Sequence, residues 1–250
     1  MSKQEIFMRK ALYHILRYTV LMIGFALIGF SAVMMVKSGL GAAPWDVFHT
    51  GLTNVLPVTL GQASIGAGVV FIIVAFIMGV KPYIGTILNM IFIGIFMDLT
   101  IYLNIFPAIP ESLLMRIVYL VLGTFICSIG AAVYFSANLQ YGPRDSLMMA
   151  INKRTPLSIR SARTILEIAA VFFGWLMGGV FGLGTIFFAL TTGSFLLLGI
   201  NGINKFKAGR WFKIFTEKFY YCDQKEEDYD KSDHYQKLLS KGIESKEGRR

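Results

Sequence analysis

The amino-acid sequence predicts an all-α, polytopic membrane protein with six transmembrane helices arranged as two inverted three-helix repeats. Three observations predict this class: six long apolar runs, a one-sided distribution of Lys and Arg, and a match of the chain to itself at an offset of 99 residues. Only 16% of the 250 residues are charged, below the roughly 25% typical of a soluble domain. Most of the chain is therefore suited to an apolar environment.

Each of the six apolar runs is long enough to cross a hydrocarbon core about 30 Å thick. The first exceeds the usual length of a signal-peptide core, and no cleavage site followed by a soluble chain comes after it, so we expect it to remain as a helix. The runs predict a membrane domain over residues 1–203 and a separate segment over 204–250. They cover about residues 16–37, 61–80, 84–105, 113–136, 161–181 and 184–203.

The basic residues predict the orientation of the chain. If the N-terminus is cytoplasmic, 22 of the 24 Lys and Arg residues fall in cytoplasmic segments, and only Lys37 and Arg116 lie outside. Basic residues concentrate on the cytoplasmic side of membrane proteins, so both termini are predicted to be cytoplasmic. This topology also accounts for the net charge of +9, and we expect no nucleic-acid partner.

The chain matches itself without a gap when it is shifted by 99 residues, from about 17–97 onto 116–196. Shared proline, glycine and aspartate carry the most weight, because they mark backbone geometry rather than general hydrophobicity. Each half holds three spans, so the second half must be inverted relative to the first. The sixteen identical pairs include Arg17/Arg116, Gly24/Gly123, Pro44/Pro143, Asp46/Asp145, Pro57/Pro156, Gly79/Gly178, Gly85/Gly184 and Gly94/Gly193.

In each half, a loop and a short helix follow the first span. Pro44 and Pro143 suit the first position of a helix, and Asp46 and Asp145 fall near its third position, where a carboxylate can bond the cap N–H. These helices, about 44–55 and 143–152, are too short to span, so they are interfacial or re-entrant elements. The four residues are either plain helix caps or parts of ligand-facing gates, one on each side of the membrane.

Ionisable groups within the spans are candidates for a solute or ion site, because a charge there is costly. Asp98 in the third span and Glu167 in the fifth are such groups, and Asn89 is a third polar candidate. Arg163 lies one turn before Glu167 and can pair with it. Asp98 has no cation nearby in the sequence, so it ranks first.

The sequence has no HExxH, GxSxG or P-loop motif, and its three histidines are scattered. We therefore expect no enzymatic activity, no cofactor and no metal site, and we place His49 at the membrane interface. Cys127 and Cys222 predict no disulfide. Residues 204–221 mix basic and aromatic side chains and are predicted to bind anionic lipids of the inner leaflet.

A series of motifs runs from Gly39 to Asp98. It comprises Gly39-Leu40-Gly41, Pro44-Trp45-Asp46-Val47, Gly51-Leu52, Thr59-Leu60-Gly61, Gly85-Thr86-Ile87-Leu88-Asn89 and Met97-Asp98-Leu99. In these motifs the chain resembles the YczE/YyaS/YitT family of bacterial integral membrane proteins, and the likeness covers about residues 15–203. The resemblance implies a multi-pass protein of the bacterial plasma membrane. It does not name a substrate.

Inverted repeats are the architecture of many transporters and channels, with the site at the repeat interface near the midplane. The first functional hypothesis is therefore a transporter or channel-like protein for a small solute, an argument from fold to function. The alternative is a non-transporting regulator or scaffold that acts through a protein partner, and a homo-oligomer is open under either. A solvent-connected polar cavity between the halves discriminates the two hypotheses, because a transporter needs one and a scaffold does not.

Overall fold

The computed structural model describes residues 3–136 and 142–208, and its regular secondary structure there is entirely α-helical. The predicted all-α class is confirmed. The helices are α1 (Lys3–Ser38), α2 (Pro44–Val55), α3 (Leu60–Ile77), α4 (Ile84–Tyr102), α5 (Leu113–Ser136), α6 (Pro143–Arg154), α7 (Ile159–Leu176) and α8 (Leu183–Ala208).

Five helices of the described chain have the length and composition of membrane spans. They comprise His14–Ser38, Leu60–Ile77, Ile84–Tyr102, Leu113–Ser136 and Leu183–Lys205. They match five of the six predicted runs, and their exposed apolar side chains imply a lipid bilayer environment. The remaining run, 161–181, corresponds to α7, which has 18 residues but carries Arg160, Arg163 and Glu167.

The chain divides into two units. Thr19–Ile203 forms one compact unit, and the two chain ends form the other. Every contact discussed below lies within Thr19–Ile203. The segment predicted to bind anionic lipids, 204–221, lies mostly outside the described residues, which end at Ala208.

The helix boundaries recur at the same offset of 99 residues as the sequence match. Helices α2 and α6 each have twelve residues, and α3 and α7 each have eighteen. The ends of α3 and α7 share one backbone design: Gly79 and Gly178 adopt φ of 90° and 77°, and the next residue bonds the carbonyl five positions back. Glycine suits this left-handed conformation because it has no Cβ.

The contacts between the halves are reciprocal. Helix α2 packs on α7, and its counterpart α6 packs on α3. A Cβ on Gly24 would meet Tyr134 in α5 at 2.8 Å, and a Cβ on Gly123 would meet Met35 in α1 at 2.6 Å. Met35 and Tyr134 are themselves 99 residues apart, so each half offers the same contact to the other.

The C-terminal ends of the short helices extend this reciprocity. The Asn54 amide of α2 donates to the carbonyls of Met177 and Gly178 beyond α7, at 3.2 and 2.8 Å. At the equivalent place beyond α3, Arg154 and Lys153 of α6 donate to the carbonyls of Met78 and Gly79, at 2.9 and 3.3 Å. In both halves a short helix therefore caps the end of a long helix of the other half.

Candidate functional site

The two short helices begin as the sequence predicts, with Pro44 and Pro143 in their first turns. The backbone N–H of Gly142 donates to Oδ2 of Asp145 at 3.2 Å, so Asp145 caps its own helix. Asp46 occupies the equivalent position in α2, but its side chain makes no capping hydrogen bond. The structure thus gives Asp145 a capping bond at the start of α6 and gives Asp46 none at the start of α2.

The residues between each proline and aspartate face one another. The guanidinium carbon of Arg144 lies 5.1 Å from the centroid of the Trp45 ring, a cation–π geometry. Trp45 also contacts Phe71 of α3, whose ring centroid is 4.9 Å away. Trp45 and Arg144 are equivalent positions of the two repeats, so this contact joins a residue to its own counterpart.

Arg144 brings hydrogen-bond donors to the junction. The Asp46–His49 contact and the Arg163–Glu167 ion pair do not include it. A guanidinium carries five N–H donors in a fixed planar fork and suits carboxylate or carbonyl oxygens. Its contact with the ring of Trp45 is a cation–π contact, which uses none of these donors.

Asp46 and His49 form a buried pair one turn apart on α2. Their exposed fractions are 5% and 1%, and Nδ1 of His49 lies 3.5 Å from Oδ1 of Asp46. This Nδ1 forms no hydrogen bond within the described chain. His49, expected from the sequence at the membrane interface, is buried, because the face of α2 that carries it packs into the protein.

The electrostatics of the junction combine burial with neighbouring charge. Burial lowers the pKa of His49, and the nearby Asp46 carboxylate acts in the opposite direction. Burial raises the pKa of Asp145, against the charge of Arg163 and the bond from Gly142. Burial also lowers the pKa of Arg144, and the nearby Asp46 and Asp145 carboxylates act in the opposite direction.

The structure places two of the predicted solute-site residues beside this junction. Glu167 accepts a hydrogen bond from Nε of Arg163 at 2.9 Å, and its charge acts on both Arg144 and Asp145. The Glu167 and Arg163 side chains are 34% and 58% exposed, so polar groups lead from the surface of α7 towards the junction. Asn89 is buried, and its amide lies against the backbone of Gly142 at the start of α6.

Asp98, which ranks first from the sequence, lies elsewhere. Its Oδ2 accepts from the hydroxyl of Thr59 at 2.6 Å and its Oδ1 from the N–H of Gly61 at 2.8 Å. The carboxylate therefore caps the start of α3, where the helix dipole also favours it. Phe71, which contacts Trp45, lies ten residues beyond Gly61 on α3, and this corresponds to about 15 Å at 1.5 Å per residue.

The loop before α2 is sealed against the start of α8. The N–H of Gly184 donates to the Leu40 carbonyl at 2.8 Å, and a Cβ on Gly41 would come within 2.7 Å of the Thr185 nitrogen. Gly41 also adopts φ of 127°, which favours glycine. Arg116 donates to the carbonyls of Ser38 and Gly39, both at 2.7 Å, and holds the beginning of the loop.

Three members of the junction were not among the residues predicted for the site: Trp45, His49 and Arg144. In the sequence, Arg144 was one of the basic residues that set the topology, and Trp45 was one residue of a family motif. One signal was present in the sequence, because Trp45 and Arg144 differ inside an otherwise repeated Pro-x-Asp motif. Among the described residues, no three His, Cys, Asp or Glu side chains come close enough together to hold a metal ion.

The chain matches, over residues 15–199, a family described as "Family of unknown function (DUF6198)". That match covers well over half of the chain. The chain belongs to this family. The expected relationship to YczE and YyaS is likewise confirmed, and the protein is a membrane protein with several apolar helices.

Three proteins that are similar in sequence to this chain have names that state no activity. The uncharacterized membrane protein YczE of Bacillus subtilis is 36% identical over 73% of this chain and 84% of its own length. An uncharacterized protein of Haemophilus influenzae is 33% identical over 73% and 83%. The uncharacterized protein YyaS of Bacillus subtilis is 25% identical over 68% and 86%. No solved structure matches the chain.

Proposed function

We propose that this family member is a transporter or channel-like protein of the bacterial plasma membrane that carries a small polar solute past Arg144 and Trp45. The observation that carries the proposal is the contact between these two equivalent residues, 5.1 Å apart at the junction of the short helices. A residue that touches its own counterpart lies next to the axis that relates the halves. In inverted-repeat transporters that axis is where the substrate site is found.

The reciprocal contacts support inverted halves. When residue i touches j′ and i′ touches j, the two halves are related as in a two-fold dimer. Gly24 with Tyr134 and Gly123 with Met35 follow this rule. Each half contributes three long helices. A two-fold axis in the membrane plane therefore relates the halves and gives them opposite orientations across the membrane.

Under this proposal α7 is the sixth span. Its charges would be costly if they faced lipid, since insertion scales assign about 2.5–3.5 kcal/mol to a charge at the centre of a span. Arg163 and Glu167 pair with each other, and both act electrostatically on Asp145 or Arg144. We take this polar side of α7 as the lining of a path from the cytoplasmic side to the junction.

The junction favours a solute that carries a hydrogen-bond acceptor. Arg144 offers guanidinium donors, and the first turns of α2 and α6 add the positive ends of two helix dipoles. Asp46 and Asp145 lie in the same first turns and balance this charge, so the site suits a solute that also has a donor. Amino acids and other small amphoteric solutes meet both conditions.

The test is solute exchange in proteoliposomes that contain the purified full-length protein. The panel is amino acids, monocarboxylates, dicarboxylates, sugars and nucleobases, each assayed as radiolabelled counterflow. We expect exchange of at least one class, reduced about tenfold or more by Arg144→Gln, since a hydrogen bond to a charged group contributes about 1.5–3 kcal/mol. Lys81→Gln, which removes an exposed cation, should leave exchange unchanged.

Two outcomes would overturn the proposal. If correctly folded protein exchanges no class of solute, the scaffold or regulator hypothesis takes its place. If Arg144→Gln exchanges as fast as the wild type, a transporter would remain but its site would lie elsewhere.

A further inference from the structure

We propose that Asp46 and His49 form a proton-binding site whose occupancy controls the seal between the 39–43 loop and the start of α8. This inference rests on the proposed function, because it assigns the coupling ion of that pathway. The reaction is the binding of one proton from water to a carboxylate–imidazole pair. No covalent bond or redox change is involved.

The first argument is the unusual environment of the pair. Asp46 and His49 are both more than nine-tenths buried, and the Nδ1 of His49 has an Asp46 oxygen at 3.5 Å as its nearest acidic partner. A distance of 3.5 Å is at the limit of a hydrogen bond. A buried carboxylate is stabilised by a proton or by a close cation, and here the closest titratable partner is an imidazole that can supply either.

The second argument is that the equivalent position in the other half is built differently. Asp145 receives the N–H of Gly142 and feels the charge of Arg163, so its carboxylate is held as a helix cap. The residue equivalent to His49 is Met148, which cannot titrate. A structural requirement of the short helix would apply to both halves, whereas the Asp–His pair occurs in one.

Among the described residues, titratable groups on α6 and α5 act on the pair, and α7 carries two more that act on its neighbours. Arg144 of α6 and Cys127 of α5 interact electrostatically with Asp46. On α7, which packs along α2, Arg163 and Glu167 are paired with each other and act on Asp145 and Arg144. Helix α3 contributes no titratable side chain. Arg144 is therefore the cation that a charged Asp46 would attract, and protonation of Asp46 would remove that attraction.

The third argument is the short mechanical link to the seal. The Ala43 carbonyl accepts the N–H of Asp46 at 2.8 Å and that of Val47 at 2.9 Å, so the first turn of α2 and the end of the loop move together. Three residues before Ala43, the Leu40 carbonyl is bound by Gly184. Across the same contact, the buried hydroxyl of Thr185 has no hydrogen-bond partner within the described chain. A change of charge at Asp46 therefore acts on a seal whose polar groups are not all satisfied.

The first measurement uses the proton as the only ligand. Infrared difference spectra of the full-length protein in lipid vesicles are recorded while the pH is varied between about 5 and 9. We expect one titration of the pair in this range, seen as a carboxyl C=O or imidazole band, that is lost in both Asp46→Asn and His49→Gln. Asp145→Asn, the equivalent change in the other half, should retain it. A parent protein without such a titration, or a titration that persists in both variants, would refute the site.

The second measurement reads the seal, which a purely structural pair would not move. In a background without Cys127 and Cys222, a cysteine replaces Leu40 and its labelling by an impermeant maleimide is followed against pH. Its rate is divided by that of a cysteine at exposed Ser112, which corrects for thiol ionisation. We expect the ratio to change about threefold or more with pH, and to become flat in Asp46→Asn and His49→Gln. A ratio already flat in the parent protein would refute the coupling.

The two proposals fail in different ways. A titrating pair and a pH-dependent seal in a protein that exchanges no solute would refute the transporter and leave the proton switch. Exchange that depends on Arg144 with no titration at Asp46 would refute the proton site and leave the transporter.

Discussion

Three aspartates show what the sequence can and cannot predict for single residues. The capping role of Asp145 followed from its spacing after Pro143, because the bond is local. Asp46 has the same spacing, but its environment is set by His49 and by the helices that bury it, which spacing does not reveal. Asp98 looked unpartnered because its partners, Thr59 and Gly61, lie more than thirty residues away in the chain.

The Asp98 cap gives a prediction at this scale. Asp98→Ala removes the acceptor of both the Thr59 hydroxyl and the Gly61 N–H, so we expect the free energy of unfolding to fall by about 1–2 kcal/mol, as for other lost helix caps. Unfolding in mild detergent measures it, with exposed Glu111→Ala as the control. Exchange per folded molecule should be unchanged. Loss of exchange with unaltered stability would return Asp98 to the solute site.

At the scale of the helices, the apolar runs and the prolines at helix starts predicted which helices exist and where they begin and end. The short helices were predicted at about 44–55 and 143–152, and they run over Pro44–Val55 and Pro143–Arg154. The partner of each helix was not predictable, because apolar composition alone is compatible with many packings. Helix α2 packs against α7 because their backbones approach closely at glycines such as Gly51 and Gly174.

That close approach gives a prediction for the α2–α7 pair. A Cβ on Gly174 would meet the Phe48 nitrogen at 2.6 Å, so Gly174→Ala must separate the two helices and should cost about 1–3 kcal/mol of stability. Gly193 on α8 has open space around it, so Gly193→Ala is the matched control and should be neutral or slightly stabilising. Thermal unfolding of both variants measures the difference. Equal melting temperatures would mean that α2 and α7 do not pack as described.

For the whole molecule, the repeat was visible in the sequence, whereas the candidate site was not. Proline, glycine and aspartate recur at one offset because each half needs the same turns and helix starts. The junction takes its chemistry from the positions where the halves differ: Trp45 against Arg144 and His49 against Met148. A comparison of the two halves that looks for identical residues does not detect these positions. Trp45 and Arg144 come into contact only because α2 packs on α7 and α6 packs on α3.

The central claim, that the halves are inverted, is tested most directly by labelling two equivalent residues. Leu56 and Thr155 are 99 residues apart, are both exposed and follow α2 and α6. In intact cells that lack Cys127 and Cys222, we expect an impermeant maleimide to label a cysteine at Leu56 and to label one at Thr155 only after permeabilisation. A cysteine at exposed Phe181 should also be labelled from outside, because the proposed topology makes α7 the sixth span. Labelling of the Leu56 and Thr155 positions from the same side would contradict the inverted repeat.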